Sequence, residues 1–600
     1  MAEPLTRVVR RKEDVLFSTC APLRPFPDVL LTHLQKWAQA APSRAFLAER
    51  SAAGRWYELT YSAAMRWVDS VAELLVELNS AYGDRLLIIS ENSIAHGVVS
   101  LAAMSVGIAV VQISPSYLTT RTGLERVREI CEVARPGYLF ASPQALLAAA
   151  GPLPIGEAVG VSFDRVIALG PAGAGDRRDH ATAELQMRRS ALHGDSIAKI
   201  MFTSGTTGSP KGVINTHRML CAQQQQMAQL WQFVEERPPV LCDWLPWSHT
   251  SGGNNSFNMT LRNGGTLYID NGRPTLSGIE LTLRNVAEVR PTWYTNVPAG
   301  YSLLLPMLQR SRLLTERFFS RLDLLVYGGA GLSPGLWAGI DELARSTRGT
   351  PAPWACGWGL TETASTTTVT HFPISGAGQI GVPLPGMTCR LTKRHGHYAI
   401  AVKGPNVTPG YFGDTDATAR AFDDEGYFIT GDSVSFVDEE NPSRGLRFEG
   451  RFAEQFKLAT GTWVQPSSIK ASLLSRAGPL VRDVILEGPD GPYLVALIWI
   501  NEEVAVRDFR WSESCEGNDQ GSIALQEFLK MVIGEHNAGC VDNAERIVRA
   551  CVLGIPPSLS SGELTEKGTI ALHRFRTARR TQIESLFAAE YGFSIPQAAI

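Results

Sequence analysis

At 600 residues the chain is too long for a single core, so two or more domains are expected. Hydrophobic residues at 44%, charged residues at 19% and a formal net charge of −3 describe an ordinary globular protein, without the basic surplus of a nucleic-acid binder. Nine cysteines scattered singly from Cys20 to Cys551, with no C-x-x-C pair, argue against a disulfide framework or structural zinc and for a reducing, cytoplasmic setting.

The first residues, "MAEPLTRVVRRKEDV", lack the apolar run of a secretory signal. Apolar runs then alternate with helical patterns. "RLLIIS" (85–90), "IAVVQIS" (108–114), "GYLFAS" (137–142), "RVIALG" (165–170), "TLYID" (266–270) and "LDLLVYGGA" (322–330) read as strands of a layered, mostly parallel α/β architecture. The uncharged stretch "GVVSLAAMSVGIAVVQIS" (97–114) holds three Ser, two Gly and a Gln and turns β-branched in its second half. It therefore reads as a buried helix followed by a strand, and no membrane span is expected.

From about 380 the pattern changes to short strands with Gly and Pro turns, a small β-rich subdomain. A boundary is expected near 450, at "RFEGRFAEQFKLATGTW". It divides a large N-terminal domain (1–451) from an α+β tail (452–600) with strands "DVILEG" and "YLVALIWIN", an amphipathic helix at 522–536 and a surface loop at 512–521.

The densest chemistry lies at 201–212, "MFTSGTTGSPKG". It follows the strand-like "SIAKI" and precedes a helix expected to be capped by Thr216. Backbone N–H groups of a Gly-rich turn, hydroxyls and Lys211 together suit a phosphate. Pro210 stands where the P-loop of nucleotide hydrolases requires Gly, so this is a different phosphate loop.

"FTSGTTGSPKGV" resembles the signature of the adenylate-forming superfamily: acyl- and aryl-CoA synthetases, luciferases and peptide-synthetase adenylation domains. Its companions follow in family order over about 250 residues: "YGGAGLS" (327–333), "GWGLTET" (357–363), "YFITGD" (427–432) and "EGR" (449–451). The resemblance implies ATP, Mg²⁺ and coenzyme A, and a mobile C-terminal domain that alternates between two half-reactions. It also implies that Thr203, Ser204, Gly205, Thr206, Thr207, Gly208 and Lys211 cradle phosphates. Gly329, Ala330 and Trp358 would line the adenine, Thr361 would touch the α-phosphate, and Glu362 with Thr206 would hold the metal. Asp432 would take the ribose and Arg451 would lie beside ribose and phosphate. The adenylation lysine of the family would be Lys567 in "SSGELTEKGTI" (560–570), one register away from the usual slot at Thr569. That shift, with "GRFAEQFKLATGTWVQP", resembles feruloyl-CoA synthases. Ala453 falls where many relatives carry an Asp or Lys hinge.

The acyl pocket implied lies near "LPWSHTSGGNN" (245–255), with His249 matching the aromatic or His that gates the carboxylate. Amino-acid-activating relatives place an Asp just after it. Thr250 stands there instead, and an ammonium buried without a partner is costly, so an uncharged tail is favoured. Small residues Ser251, Gly252, Gly253, Gly328, Gly329 and Gly381 leave room for a flat ring, Gly357 is placed in the same pocket, and Asn254 and Asn255 offer hydrogen bonds to a phenol or methoxy group. A hydroxycinnamate-type acid is the leading substrate and a medium-chain fatty acid the alternative. An enzyme delivering to a carrier protein and a silent adenylate binder are the other readings. The partners expected are this small acid, ATP and CoA, no nucleic acid, and an open question of a homodimer.

Overall fold

The computed structural model describes residues 4–171, 182–203, 210–374, 376–394, 396–511, 520–540, 542–558, 561–564 and 570–596. Ser204, Gly205, Thr206, Thr207, Gly208, Lys567, Thr569 and most of the 512–521 loop lie outside the described residues.

A six-stranded sheet runs in the order Lys211–Thr216, Ile197–Thr203, Ala109–Ile113, Arg85–Ile89, Tyr138–Ala141 and Val159–Gly160. Its strands are parallel apart from the first pair. Layers cover both faces, so the central strands are unbroken apolar runs instead of alternating ones; Leu86, Leu87, Ile88 and Ile89 are fully buried. Ile94–Ser105 is a helix buried all round, capped by Ser93 Oγ accepting from His96 N at 3.1 Å, and Ala109–Ile113 follows as a strand. The uncharged stretch at 97–114 is therefore a core helix and strand. Among the described residues no helix is long and apolar enough to cross a membrane.

A second, fifteen-stranded sheet has a parallel centre, with Leu324–Tyr327 between Trp293–Asn296 and Trp354–Trp358. Antiparallel strands from Gln379–Pro383 to Leu446–Arg451 extend it, and this is the β-rich portion. The N-terminal strands Thr6–Arg10 and Asp14–Thr19 join it through Thr388–Arg394, a pairing that the charged text "RVVRRKED" hides. One expected strand is a helix: "RVIALG" belongs to Phe163–Ala168, because Ser162 Oγ caps the turn by accepting from Arg165 N at 3.3 Å.

The core that includes Phe17 and Leu446 ends there, and another begins at Phe456. It packs Pro466–Ala477 and Gln520–Gly539 on one face of a four-stranded sheet, Val481–Glu487, Leu494–Ile500, Ile547–Val552 and Phe593–Ser594. Phe575 and Leu586 cover the other face. The architecture is α/β, with a large sheet-rich N-terminal part and a small α+β C-terminal part.

Candidate nucleotide and acid site

Strands Ile197–Thr203 and Lys211–Thr216 pair antiparallel with Thr203 opposite Lys211, so the two ends of the phosphate-loop motif lie side by side. The Lys211 ammonium sits 5.3 Å from the ring centroid of Tyr411. The Tyr411 phenol in turn donates to Glu362 Oε1 at 3.0 Å. Burial first, and then the Glu362 charge, push the Tyr411 pKa up, so this phenol stays a donor.

Glu362 lies in the single 3₁₀ turn Thr361–Thr363 that follows strand Trp354–Trp358. Three bonds from neighbouring segments hold that turn: Asn215 Nδ2 donates to the Thr361 carbonyl at 3.3 Å, Thr408 N to the Glu362 carbonyl at 2.7 Å and Asn406 Nδ2 to the Thr363 carbonyl at 2.8 Å. The chain leaves the turn through Ala364 at φ 53° and Ser365 at φ 108°, a backbone that L-residues rarely adopt. Neighbouring elements therefore fix the position of the Glu362 carboxylate against local strain.

Asp432 is 2% exposed and accepts from Trp358 Nε1 at 2.9 Å through Oδ2. Its register partner Arg451, about half exposed, brings Nε to 3.3 Å from Oδ1. Burial raises the Asp432 carboxyl to about 6, and the Arg451 charge and the indole bond hold it from going higher. Oδ1 accepts no hydrogen bond. Apart from the Arg451 ion pair, the acceptor capacity of this buried carboxylate oxygen is unspent, which suits a hydroxyl donor such as that of a ribose. Gly329 at φ 80° and Ala330 are exposed on the turn after Leu324–Tyr327, and a side chain at Gly328 would meet nothing within 4 Å.

Among the described residues no three His, Cys, Asp or Glu side chains cluster as a metal cage. One carboxylate, Glu362, beside a lysine and the phosphate-loop strand fits a Mg²⁺ that takes its other ligands from phosphates and water.

His249, half-buried, opens the turn that leads into the π-helical segment Ser251–Ser256; Gly253 N donates to its carbonyl at 2.8 Å. Here several expectations change. Asn254 is fully buried and already engaged: Nδ2 donates to Asn215 Oδ1 at 2.6 Å and Thr250 Oγ1 at 3.1 Å, and Oδ1 accepts from Lys199 Nζ at 3.2 Å. It ties the π-helical turn to Asn215 and Lys199 on the flanking strands, and both of its amide hydrogens are spent, so it does not meet a phenol. Gly252, Gly253 and Gly381 do not leave room for a ring. A Cβ at Gly252 would meet the Leu245 carbonyl oxygen at 2.3 Å, at Gly253 that of Trp247 at 2.2 Å, and at Gly381 that of Val369 at 2.0 Å. Close backbone packing demands these glycines. Gly357 is also snug, with Thr366 Cγ2 at 3.3 Å; of the glycines expected to leave room, a Cβ at Gly328 would meet nothing within 4 Å and one at Gly329 only Val297 Cγ1 at 3.8 Å.

The sequence reading missed Tyr411, Asn215, Thr408 and Lys199. Lys199 is buried in the strand below the phosphate loop, donates to the Gly253 carbonyl at 2.9 Å, and is lowered by burial to about 7. "PGYFGD", with its aromatic in a Gly-bounded turn, was the available signal for Tyr411.

A family profile described as AMP-binding enzyme matches residues 34–412, a span that holds the phosphate loop, Glu362 and Tyr411. The chain belongs to the AMP-binding enzyme family. Members of the family similar to it include a probable CoA ligase, CCL5, of Humulus lupulus, 27% identical over 462 residues that cover 73% of this chain and 78% of the relative. The long-chain-fatty-acid–CoA ligase FadD15 of Mycobacterium tuberculosis is 27% identical over 582 residues, 90% and 93% of the two chains. In fold the chain is similar to ATP-bound MatB of Rhodopseudomonas palustris, with TM-score 0.67 at 22% identity, covering 92% of this chain and 99% of that one. It is also similar to the AMP-bound A domain of carboxylic acid reductase from Segniliparus rugosus, with TM-score 0.70 at 20% identity and 94% of each chain.

Proposed function

We propose that the chain is an ATP-dependent carboxylate–CoA ligase acting on an aromatic acid of the hydroxycinnamate type, such as ferulate. The observation that carries the reading is the bonded set Lys211–Tyr411–Glu362, with Asn215 on Thr361 and Trp358 and Arg451 on Asp432, drawn from segments far apart in sequence. A carboxylate is a poor acyl donor because its leaving group would be oxide; adenylation replaces that leaving group with AMP. The acid's oxygen attacks the α-phosphorus and the bond to pyrophosphate breaks. The CoA thiolate then attacks the acyl carbon and the bond to AMP breaks.

In this scheme Lys211 and the hydroxyls of the loop hold the β- and γ-phosphates, and Thr361 orients the α-phosphate. Asp432 and Arg451 hold the ribose in line, while Trp358 keeps the Asp432 carboxylate oriented. Glu362 would hold a Mg²⁺, which when bound would supply charge neutralisation to the pyrophosphate leaving group. Lys567 meets the charge that spreads over carboxylate and α-phosphate in the first step. His249 gates the carboxylate, Gly328 leaves space beside it, and the buried Gly252–Asn254 turn holds the wall. The domains are 1–451 and 452–600, with rotation near Ala453 exchanging the two half-reactions, a reading supported by the separate cores on either side.

A fatty-acid substrate is the second reading, supported by the relative named a long-chain-fatty-acid–CoA ligase. Pyrophosphate release with ATP and ferulate, with and without CoA, tests the proposal. Release that yields feruloyl-CoA only when CoA is present supports it. Adenylate without thioester would indicate a carrier-directed enzyme, and no release a silent binder.

A further inference from the structure

The strand Ile197–Thr203 carries one charged side chain, Lys199, and it is buried. Among the described residues no carboxylate pairs with it, and burial alone moves its pKa, down to about 7. A lysine buried without a counter-ion is costly, so what it holds matters. Nζ donates to the Gly253 carbonyl at 2.9 Å and to Asn254 Oδ1 at 3.2 Å, both in the π-helical turn Ser251–Ser256. The N–H of the same Gly253 donates to the His249 carbonyl at 2.8 Å, so a single residue joins Lys199 to the His249 backbone.

From there the bonds run in one direction. Asn254 Nδ2 donates to Asn215 Oδ1 at 2.6 Å, and Asn215 Nδ2 donates to the Thr361 carbonyl at 3.3 Å. Lys199 sets that direction. Facing a donor, Asn254 must offer its oxygen, which turns Nδ2 toward Asn215; Asn215 must then offer Oδ1, which turns its own Nδ2 toward Thr361. Both Lys199 bonds survive loss of a proton, because a neutral amine keeps two N–H groups. Asn254 and Asn215 are fully buried, so water cannot restore the bonds if either amide turns over.

We propose that Lys199 is a positioning residue for adenylate formation: through Asn254 and Asn215 it fixes the turn after His249 against the Thr361–Glu362 turn, and so aligns the acid's carboxylate with the α-phosphorus. This rests on the ligase reading and extends it. Lys199 and Asn215 lie on the two strands that flank the phosphate loop, and Asn254 and Thr361 lie on the turns assigned to the acid and to the nucleotide. A misplacement of about 1 Å between reacting groups costs on the order of a hundredfold in rate. Thioester formation makes no such demand, because the bond between acyl oxygen and phosphorus already exists in the adenylate.

The experiment compares the two half-reactions in the full chain. One is pyrophosphate release from ATP and ferulate; the other is thioester formation from CoA and supplied feruloyl-adenylate. Octanoate and octanoyl-adenylate serve as a second pair. Lys199→Met, an unbranched side chain of similar length without donors, should slow the first about ten- to a hundredfold and change the second less than about twofold. Asn215→Ala leaves Lys199 in place and should show the same split, which keeps the test open if Lys199→Met does not fold. Equal loss in both half-reactions of a folded variant is what a lysine that merely holds the fold would give, and it would overturn the proposal. So would a folded variant with no loss in either. A wild-type chain that releases no pyrophosphate with either acid is a different result: it removes the ligase reading itself.

Discussion

Replacing Trp358 with Phe deletes a single N–H while keeping an aromatic ring of similar shape. That N–H lies 2.9 Å from Asp432 Oδ2, and the carboxylate is 2% exposed, so water cannot replace it. A hydrogen bond to a charged group is worth about 1.5–3 kcal/mol, and one pKa unit corresponds to about 1.4 kcal/mol. The Asp432 carboxyl, at about 6 in the wild type, should therefore move up by about one to two units. At pH 7 the variant then carries an Asp432 that is protonated in about half to nine-tenths of molecules, against about a tenth in the wild type, and the protonated form no longer accepts two ribose hydroxyls. The expected result is a rise in KM for ATP of about two- to tenfold at pH 7 that largely disappears by about pH 9. Stability should run the other way. A carboxyl raised by burial contributes to folding below the ordinary aspartate range, and that contribution is lost as pH rises through about 6. Thermal melts of the ATP-free chain should thus weaken across the window in which ATP-induced stabilisation grows. KM for ATP measured by pyrophosphate release from pH 5 to 9 decides it. An acid limb at the same pH in Trp358→Phe and wild type would refute the coupling of indole, carboxylate and ribose.

Other changes test other parts of the site. Glu362→Gln should cut turnover and raise the Mg²⁺ needed for half-maximal rate while leaving the melting temperature within a degree or two; unchanged Mg²⁺ dependence removes Glu362 from the metal. Tyr411→Phe should shift the same Mg²⁺ curve by a smaller amount, since it orients Glu362 without touching metal. Lys567→Ala should abolish adenylate formation yet spare thioester formation from preformed adenylate, read by supplying the acyl-adenylate and CoA directly; survival of both half-reactions would pass the role to another residue. Gly381→Ala places a Cβ 2.0 Å from the Val369 carbonyl oxygen at φ 75° and should cost about 2–5 kcal/mol in urea unfolding, with no gain in room for larger acids.

The parts of this molecule that were legible in the sequence are those whose chemistry depends on local order. The strand ends at Thr203 and Lys211, the Thr361–Thr363 turn and the Asp432–Arg451 pair each fall within contiguous motifs, and unbroken apolar runs betray strands buried on both faces. The 97–114 stretch could be read correctly because β-branched residues cluster in its second half. What stayed hidden depends on tertiary surroundings. Asn215 and Tyr411 matter through what they touch, and a lone Asn or Tyr carries no mark of its partner. The glutamines at 223–226 give no local sign that all four are buried and that Gln224 bonds the turn Ser251–Ser256. Small residues at Gly252, Gly253 and Gly381 suggest a cavity when read in one dimension, whereas each admits a carbonyl oxygen of a neighbouring segment. "RVIALG" contains β-formers, but a serine cap one turn earlier starts a helix.

Exchange of labelled pyrophosphate into ATP, driven by ferulate in the absence of CoA, asks most directly whether this site captures the α-phosphorus with an organic acid. The account predicts acid-dependent exchange that disappears in Glu362→Gln. Cleavage of ATP to ADP and phosphate, or exchange indifferent to any acid, would contradict it.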